Sequence, residues 1–204
     1  MTTELAFLPV GIGSTISDPS TPPGKIWHNA LLAVSRQPKF QQYYWGFQVK
    51  HPDILQLVVE FDSSGPHSSF TGSQAFFQSI TSLLKGPPEF YTAHLSPHPS
   101  PALKSPATEV VMINNPFPDF NESLAQFGVN VLSKSDGHID GVSVGPIEGE
   151  SQGVKRVYLL VGWETVQKQK DMMITDIFKA NVGLVKDHCE SLALDYVEFK
   201  SSSS

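Results

Sequence analysis

The sequence predicts an α+β protein built from two β-α-β-β-α-β repeats, the ferredoxin-like order, forming a single-chain pseudo-dimeric α/β barrel. Three observations predict it. Leu57-Val58-Val59-Glu60-Phe61-Asp62-Ser63 is answered by Leu159-Leu160-Val161-Gly162-Trp163-Glu164-Thr165. The same offset sets Ser73-Gln74-Ala75-Phe76 on Thr175-Asp176-Ile177-Phe178, and His94-Leu95 on Tyr196-Val197. Between the halves, Ser96 to Pro106 is dense in proline and reads as a linker. A repeat of this length is a domain-sized unit, since solenoid rungs run roughly 20 to 50 residues. The expected domains are residues 1–95 and 107–200, joined by 96–106. One four-stranded sheet with helices on one side leaves its other face bare, and a second copy can cover it.

The elements follow in order. Glu4 to Val10 reads as a strand, and Gly11 to Gly24 as a loop rich in Gly, Ser and Pro. Ile26, Ala30, Leu31 and Val34 share one helical face, which predicts a helix over Ile26–Gln37. Phe40 to Val49 is rich in Tyr, Trp and Phe, as strands are. In Leu55–Asp62 the residues Leu55, Leu57, Val59 and Phe61 alternate with Gln56, Val58, Glu60 and Asp62, the period of a strand. Ser63 is an expected N-cap, and the helix it opens runs to Leu84 before Lys85-Gly86-Pro87-Pro88 stops it. Phe90 to Leu95 closes the first repeat. The second repeats the pattern: a strand Glu109–Ile113, a helix Phe120–Ser133, strands His138–Ile147 and Lys155–Trp163, a helix capped by Thr165, and a strand Leu192–Phe199. Ser201–Ser204 is expected to fray.

Composition narrows the function. The 204 residues carry a net charge of −6 with 14 Lys and Arg scattered along the chain, which disfavours nucleic acid as a partner. The single Cys189 demands no oxidising compartment. No basic leader and no apolar run near ~20 residues is present, so the expectation is a cytoplasmic protein with no membrane partner. Gly11-Ile12-Gly13-Ser14 follows a strand but opens no helix, which argues against a dinucleotide site. The histidines show no metal-ligand spacing; His94 and His98 merely flank a Pro-rich turn. No covalent nucleophile stands out.

Tyr44-Trp45-Gly46, then Leu57 to Ser63 and His67-Ser68-Ser69-Phe70, resembles the antibiotic-biosynthesis-monooxygenase type of dimeric α+β barrel. Tyr158-Leu159-Leu160-Val161-Gly162-Trp163-Glu164-Thr165 is similar again, and the pair looks most like the tandem single-chain members of filamentous fungi. The superfamily holds oxygenases, haem degraders, cyclases, isomerases and decarboxylases, so the resemblance bears on fold more than on reaction. Haem-degrading relatives carry a His where this chain has Ile80 and Val182, and a Trp where it has Phe70 and Met172. The cyclases' His-x-x-His run is absent from both halves. The implied enzyme therefore uses no cofactor and no metal. It takes a hydrophobic small molecule, a polyketide or terpenoid intermediate, and cyclises, isomerises or eliminates by acid–base chemistry. The alternatives are a cofactorless monooxygenase of an aromatic polyketide and a non-catalytic binder. The chain would be a monomer (a pseudo-dimer) or a homodimer.

The resemblance puts the pocket between each sheet and its helices, floored by Leu57, Val59 and Phe61 in one half and by Leu159, Val161 and Trp163 in the other. The opposite assignment puts Gln56, Glu60 and Asp62 inside. His67 is the leading acid–base candidate, because it shares a helical face with Phe70 and Phe77. Its counterpart, Gln169, cannot take up a proton. His28, near the start of the first helix, is the second candidate, and Glu60, a carboxylate in an apolar strand, the third. Trp45, Tyr44, Phe61, Phe70, Phe77, Trp163 and Tyr158 are the expected substrate-contacting walls. Each has a plainer alternative: a surface position for the histidines, a paired structural carboxylate for Glu60, and core packing for the aromatics.

Overall fold

The computed structural model describes residues 1–62, 74–149 and 153–201. The chain divides into two compact units, one formed by Met1–His94 together with the stretch from Phe199, the other by Leu95–Glu198. The first contains β1 (Thr2–Pro9), α1 (Pro22–Ser35), β2 (Phe40–Phe47), β3 (Ile54–Phe61), α2 (Gln74–Ile80) and β4 (Glu89–Ala93). The second contains β5 (Ala107–Pro116), α3 (Phe120–Asn130), β6 (His138–Pro146) and β7 (Arg156–Trp163). It continues with α4 (Val166–Met173), α5 (Asp176–Asn181), α6 (Gly183–Lys186) and β8 (Cys189–Val197). Both sheets are antiparallel. Their orders, β4-β1-β3-β2 and β8-β5-β7-β6, are the ferredoxin-like order the repeat predicts. No helix among the described residues is long and apolar enough to cross a membrane.

Strand alternation decides which side chains meet the helices. In the first unit Ala6, Leu8, Leu55, Leu57, Val59 and Phe61 pack against Trp27, Ala30, Leu31 and Val34 of α1 and against Phe76 and Ile80 of α2. Trp27, Ala30, Leu31 and Val34 recur at i, i+3, i+4 and i+7, so one stripe of α1 is buried. In the second unit Val111, Ile113, Leu159, Val161 and Trp163 pack against Phe120, Leu124 and Phe127 of α3 and Met172 of α4. The expected floors of the sheet–helix layer are thus on the helix side in both units. The opposite faces carry Gln56, Val58 and Glu60, and Tyr158, Leu160 and Gly162.

α1 begins earlier than its apolar periodicity suggests. Thr21 caps it by accepting from the Gly24 backbone N–H at 3.1 Å, and Pro22-Pro23 occupy the first turn, where no backbone donor is needed. Gly24 is required there, since a Cβ would lie 1.8 Å from the Asp18 carbonyl oxygen. The helix expected from Thr165 is instead three short helices. The Thr175 hydroxyl donates to the Met172 carbonyl at 2.7 Å and accepts from the Phe178 N–H at 3.2 Å, ending one helix and starting the next. Of the helix expected over 63–84, Gln74–Ile80 is helical and Thr81–Leu83 forms a 3-10 turn; residues 63–73, with the Ser63 cap, lie outside the described residues.

Ser96–Pro106 folds as part of the second unit. Ser96 bridges to Val144, and a 3-10 turn at Pro101–Lys104 buries Ala102 and Leu103. This strap lies across the sheet face away from the helices. There Thr108 Oγ1 donates to the Ala102 carbonyl at 2.9 Å, and a Cβ on Gly162 would meet Ser105 Oγ at 2.2 Å. At the C-terminal end, Ser201 is not frayed. Lys200–Ser201 forms β9, which pairs with Trp45 and Tyr44 on β2, and Lys200 Nζ lies 4.9 Å from the centre of the Trp45 ring.

Two glycines on helices make opposite predictions. Gly24→Ala drives a methyl into backbone and is expected to cost about 1–3 kcal/mol. Gly128→Ala in α3, with nothing within 4 Å of the new Cβ, is expected to stabilise by up to about 1 kcal/mol. Urea midpoints of the two variants against wild type check both signs.

Candidate functional site

The expected site residues separate by sheet face. Phe61, Trp45, Phe77 and Trp163 lie in the sheet–helix layers. Trp45 packs edge-on against Trp27 with ring centres 5.7 Å apart, Phe77 against Phe90 at 4.6 Å, and Phe61 against Phe40 at 6.4 Å. Tyr44 and Tyr158 are on the opposite faces, because they pair in register with Val58 and with Met112 and Gly145. The aromatics therefore do not form one wall. Glu60 is 0% exposed, opposite Thr3 and Gln42, on the face away from the helices. Burial, and then the charge of Glu60, push the Tyr44 phenol up to about 12. His28 is exposed on α1, outside the buried stripe that Trp27 and Ala30 mark. His67 and Phe70 lie outside the described residues.

Register reveals carboxylates that the periodicity did not single out. On β1, Glu4 stands opposite Val59 and Thr92. On β5, Glu109 stands opposite Val161 and Tyr196. These are the same position of the same fold, on the helix side of each sheet, and both residues are buried. His94, which the offset sets on Tyr196, is displaced from that role, because β4 brings Thr92 to the equivalent place. The Thr92 hydroxyl donates to Glu4 Oε1 at 2.9 Å.

In the second unit an aromatic donor holds the carboxylate. Trp163 Nε1–H donates to Glu109 Oε2 at 3.0 Å, and the His138 ring packs edge-on against Trp163 with centres 5.5 Å apart. Tyr196, directly across from Glu109, donates to Gln169 Oε1 of α4 at 2.6 Å. Burial first, and then the charges of Glu109 and Asp195, raise the phenol of Tyr196 well above its ordinary range, so it holds its proton. Gln169, the counterpart of His67, is thus a buried hydrogen-bond acceptor. Glu109 remains 8% exposed. The group of Glu109, Trp163, Tyr196 and Gln169 offers a proton acceptor held by an indole, beside a phenol that can donate, in an otherwise apolar layer.

Beside this layer the second unit has a cleft of about 250 Å³ between the turn at 134–136 and the α4–α5 junction. Met172 belongs to both: it lines the cleft and packs in the core that contains Trp163. Near the start of α3, Asp119 Oδ1 and Ser123 Oγ both approach Nδ1 of His188, at 3.0 and 3.3 Å. Two partners on one ring nitrogen cannot relay a proton in series, as a catalytic triad does through both nitrogens. Among the described residues, no group of three or more His, Cys, Asp or Glu could hold a metal ion.

No protein-family model and no curated protein matches the chain. Solved structures do. An anthrone oxidase-like protein aligns at TM-score 0.64 and 11% identity, covering 98% of this chain and 92% of that one. A candidate monooxygenase of Lactobacillus acidophilus NCFM aligns at 0.61 and 10%, covering 97% and 93%. A candidate chlorite dismutase aligns at 0.61 and 10%, covering 98% and 95%. At these identities the likeness is one of fold.

The buried phenols predict an alkaline limit. Their folded-state pKa values lie above the unfolded value of ~10, so their contribution is whole below pH ~10. It is lost as pH rises toward about 12, where unfolded tyrosine ionises and Tyr44 does not. Tyr44→Phe is expected to flatten this decline by on the order of 2 kcal/mol, while Tyr196 preserves part of it. Urea unfolding at stepped pH between neutrality and pH ~11.5 measures the slopes.

Proposed function

We propose that this protein is a cofactor-independent enzyme of the antibiotic-biosynthesis-monooxygenase type, with residues 1–95 and 107–200 as its two repeats. Its substrate is a hydrophobic intermediate of the polyketide or terpenoid class. The observation that carries the reading is the buried Glu109, oriented by the Trp163 indole and facing Tyr196 in an apolar layer. Glu109 takes the role of proton acceptor expected of a histidine, since His28 is exposed and the counterpart of His67 in this unit is Gln169.

In this reading Glu109 removes a proton from a carbon next to a carbonyl. Tyr196, released from Gln169, donates a hydrogen bond to the enolate oxygen that forms. The apolar surroundings of Leu159, Val161 and Met172 exclude water and fix the substrate's shape. The enolate then attacks within the same molecule to close a ring, is reprotonated at another carbon, or expels a leaving group. The folds named for monooxygenase and anthrone oxidase-like activity favour a second outcome. There the carbanion reduces O₂, one oxygen atom enters the substrate as a carbonyl, and the other leaves as water with the substrate's two hydrogens.

The test is deletion of the gene in its host, with complementation by wild type or Glu109→Gln, read by accurate-mass metabolite profiles. Wild type is expected to restore the lost product and the variant to lower its formation by ~100-fold or more. An accumulated isomer of the product identifies cyclisation or isomerisation, and a precursor heavier by a small molecule identifies elimination. A precursor with one oxygen atom fewer and two hydrogens more than the product identifies oxygenation. A variant that restores the product fully overturns the role of Glu109, and unchanged profiles on deletion favour a binder.

A further inference from the structure

Three short helices follow β7 in the second unit, and they are held unequally. α5 and α6 are fastened to α3. Phe178 packs edge-on against Phe127 with ring centres 6.1 Å apart, and Asn130 Nδ2 donates to Asn181 Oδ1 at 2.9 Å. α4 is attached differently. Of its eight residues Gln169 and Met172 are buried, with Val166 partly so. Gln169 and Met173, one turn apart, converge on a single atom of the sheet: the Tyr196 hydroxyl reaches Gln169 Oε1 at 2.6 Å and Met173 Sδ at 3.9 Å. On the outer side Lys168 is ion-paired with Asp136, an exposed contact that holds a helix weakly.

Both ends of α4 are set by threonine hydroxyls. Thr165 Oγ1 accepts from the Lys168 N–H at 3.1 Å, and Thr175 interrupts the chain between α4 and α5. The interruption lets α4 move while α5 and α6 stay on α3, and the cleft at the junction leaves one flank of α4 unpacked. A helix with so few buried apolar contacts opens at a lower free energy than the core beneath it. Beneath it lie Tyr196 and, directly across the strand pair, Glu109. We propose that α4 is a lid over the Glu109 site, that Gln169 is its latch on Tyr196, and that an apolar ligand opens it by setting its own carbonyl oxygen on the phenol in place of the carboxamide. Gln169 is then a specificity-determining residue, because a ligand without an acceptor oxygen cannot replace the bond it breaks. That this ligand is the substrate rests on the reading of Glu109 as proton acceptor; the lid and its latch do not.

Native-state hydrogen exchange on the full chain, repeated at low urea concentrations, tests the lid. Amides 170–173 are expected to exchange faster than those of α3 at 124–130 and with little urea dependence, the mark of a local opening. Gln169→Leu and Tyr196→Phe are each expected to speed amides 170–173 about tenfold, and the double variant no more than either alone. The exchange of oxygens is probed with 1-tetralone and tetralin, one bicyclic skeleton with and without a carbonyl, followed by amide shifts at 169–173 and 196. The ketone is expected to bind about tenfold more tightly than the hydrocarbon. Gln169→Leu, which removes the competing oxygen, is expected to tighten the ketone further, and Tyr196→Phe to erase its margin. Exchange of 170–173 with the rate and urea dependence of α3, equal binding of ketone and hydrocarbon, no binding of either, or weaker ketone binding by Gln169→Leu overturns the proposal. The wild-type measurements decide even where a variant folds poorly. Neither readout involves proton transfer, so failure here leaves the role of Glu109 standing, and full complementation by Glu109→Gln leaves the lid standing.

Discussion

The rest of the structure depends on central strands that are buried on both faces. In β3 every residue from Leu55 to Phe61 is buried, and in β7 every residue from Tyr158 to Trp163. A strand's side chains alternate, so each such strand serves two environments at once, and a slip of one residue would exchange them. The helix side receives Leu57, Val59 and Phe61, or their counterparts Leu159, Val161 and Trp163. The other side must accept Gln56 and Glu60 in one unit, and the proline-rich strap in the other. The strap explains the one position where the two copies of this strand differ most in size. Ser105 occupies the space a side chain at 162 would need, so glycine stands where the first unit has glutamate.

Polar groups in these layers are expensive unless hydrogen-bonded, and the two buried carboxylates on the helix side of the sheets each have a donor. Glu4 is met by a threonine hydroxyl and Glu109 by an indole. The same lattice position has thus been kept acidic twice with different surroundings. The first unit gives its carboxylate a small neighbour, whereas the second encloses its carboxylate with Trp163 and Tyr196 and reaches across to Gln169 on α4. The two units thus share a sheet position and differ in what surrounds it.

The strand–helix sequence was legible because hydrophobic period reports burial directly, and the repeat supplied the second half from the first. The family resemblance set Leu57, Val59 and Phe61 toward the helices, and there they are buried in the core. What period could not show was register. The offset that aligns Leu57 with Leu159 aligns His94 with Tyr196, yet pairing to β1 brings Thr92 there instead. A glutamate in an alternating strand also reads as a solvent-facing residue, which hid Glu4 and Glu109. A signal did exist: Thr3-Glu4 and Thr108-Glu109 open the first strand of each half with the same pair. The break between α4 and α5 rests on the hydroxyl of Thr175 acting at two helix ends, which hydropathy does not register.

β9 couples an early strand to residues made much later, in time as well as in space. During synthesis β2 emerges early and its neighbour β3 soon after, but the outer edge of β2 waits for Lys200 and Ser201. An unpaired edge is a template for pairing with other chains. Until then the first unit presents an open edge at Tyr44 and Trp45, and a two-residue strand closes it. A nascent chain carries that open edge until β9 is made.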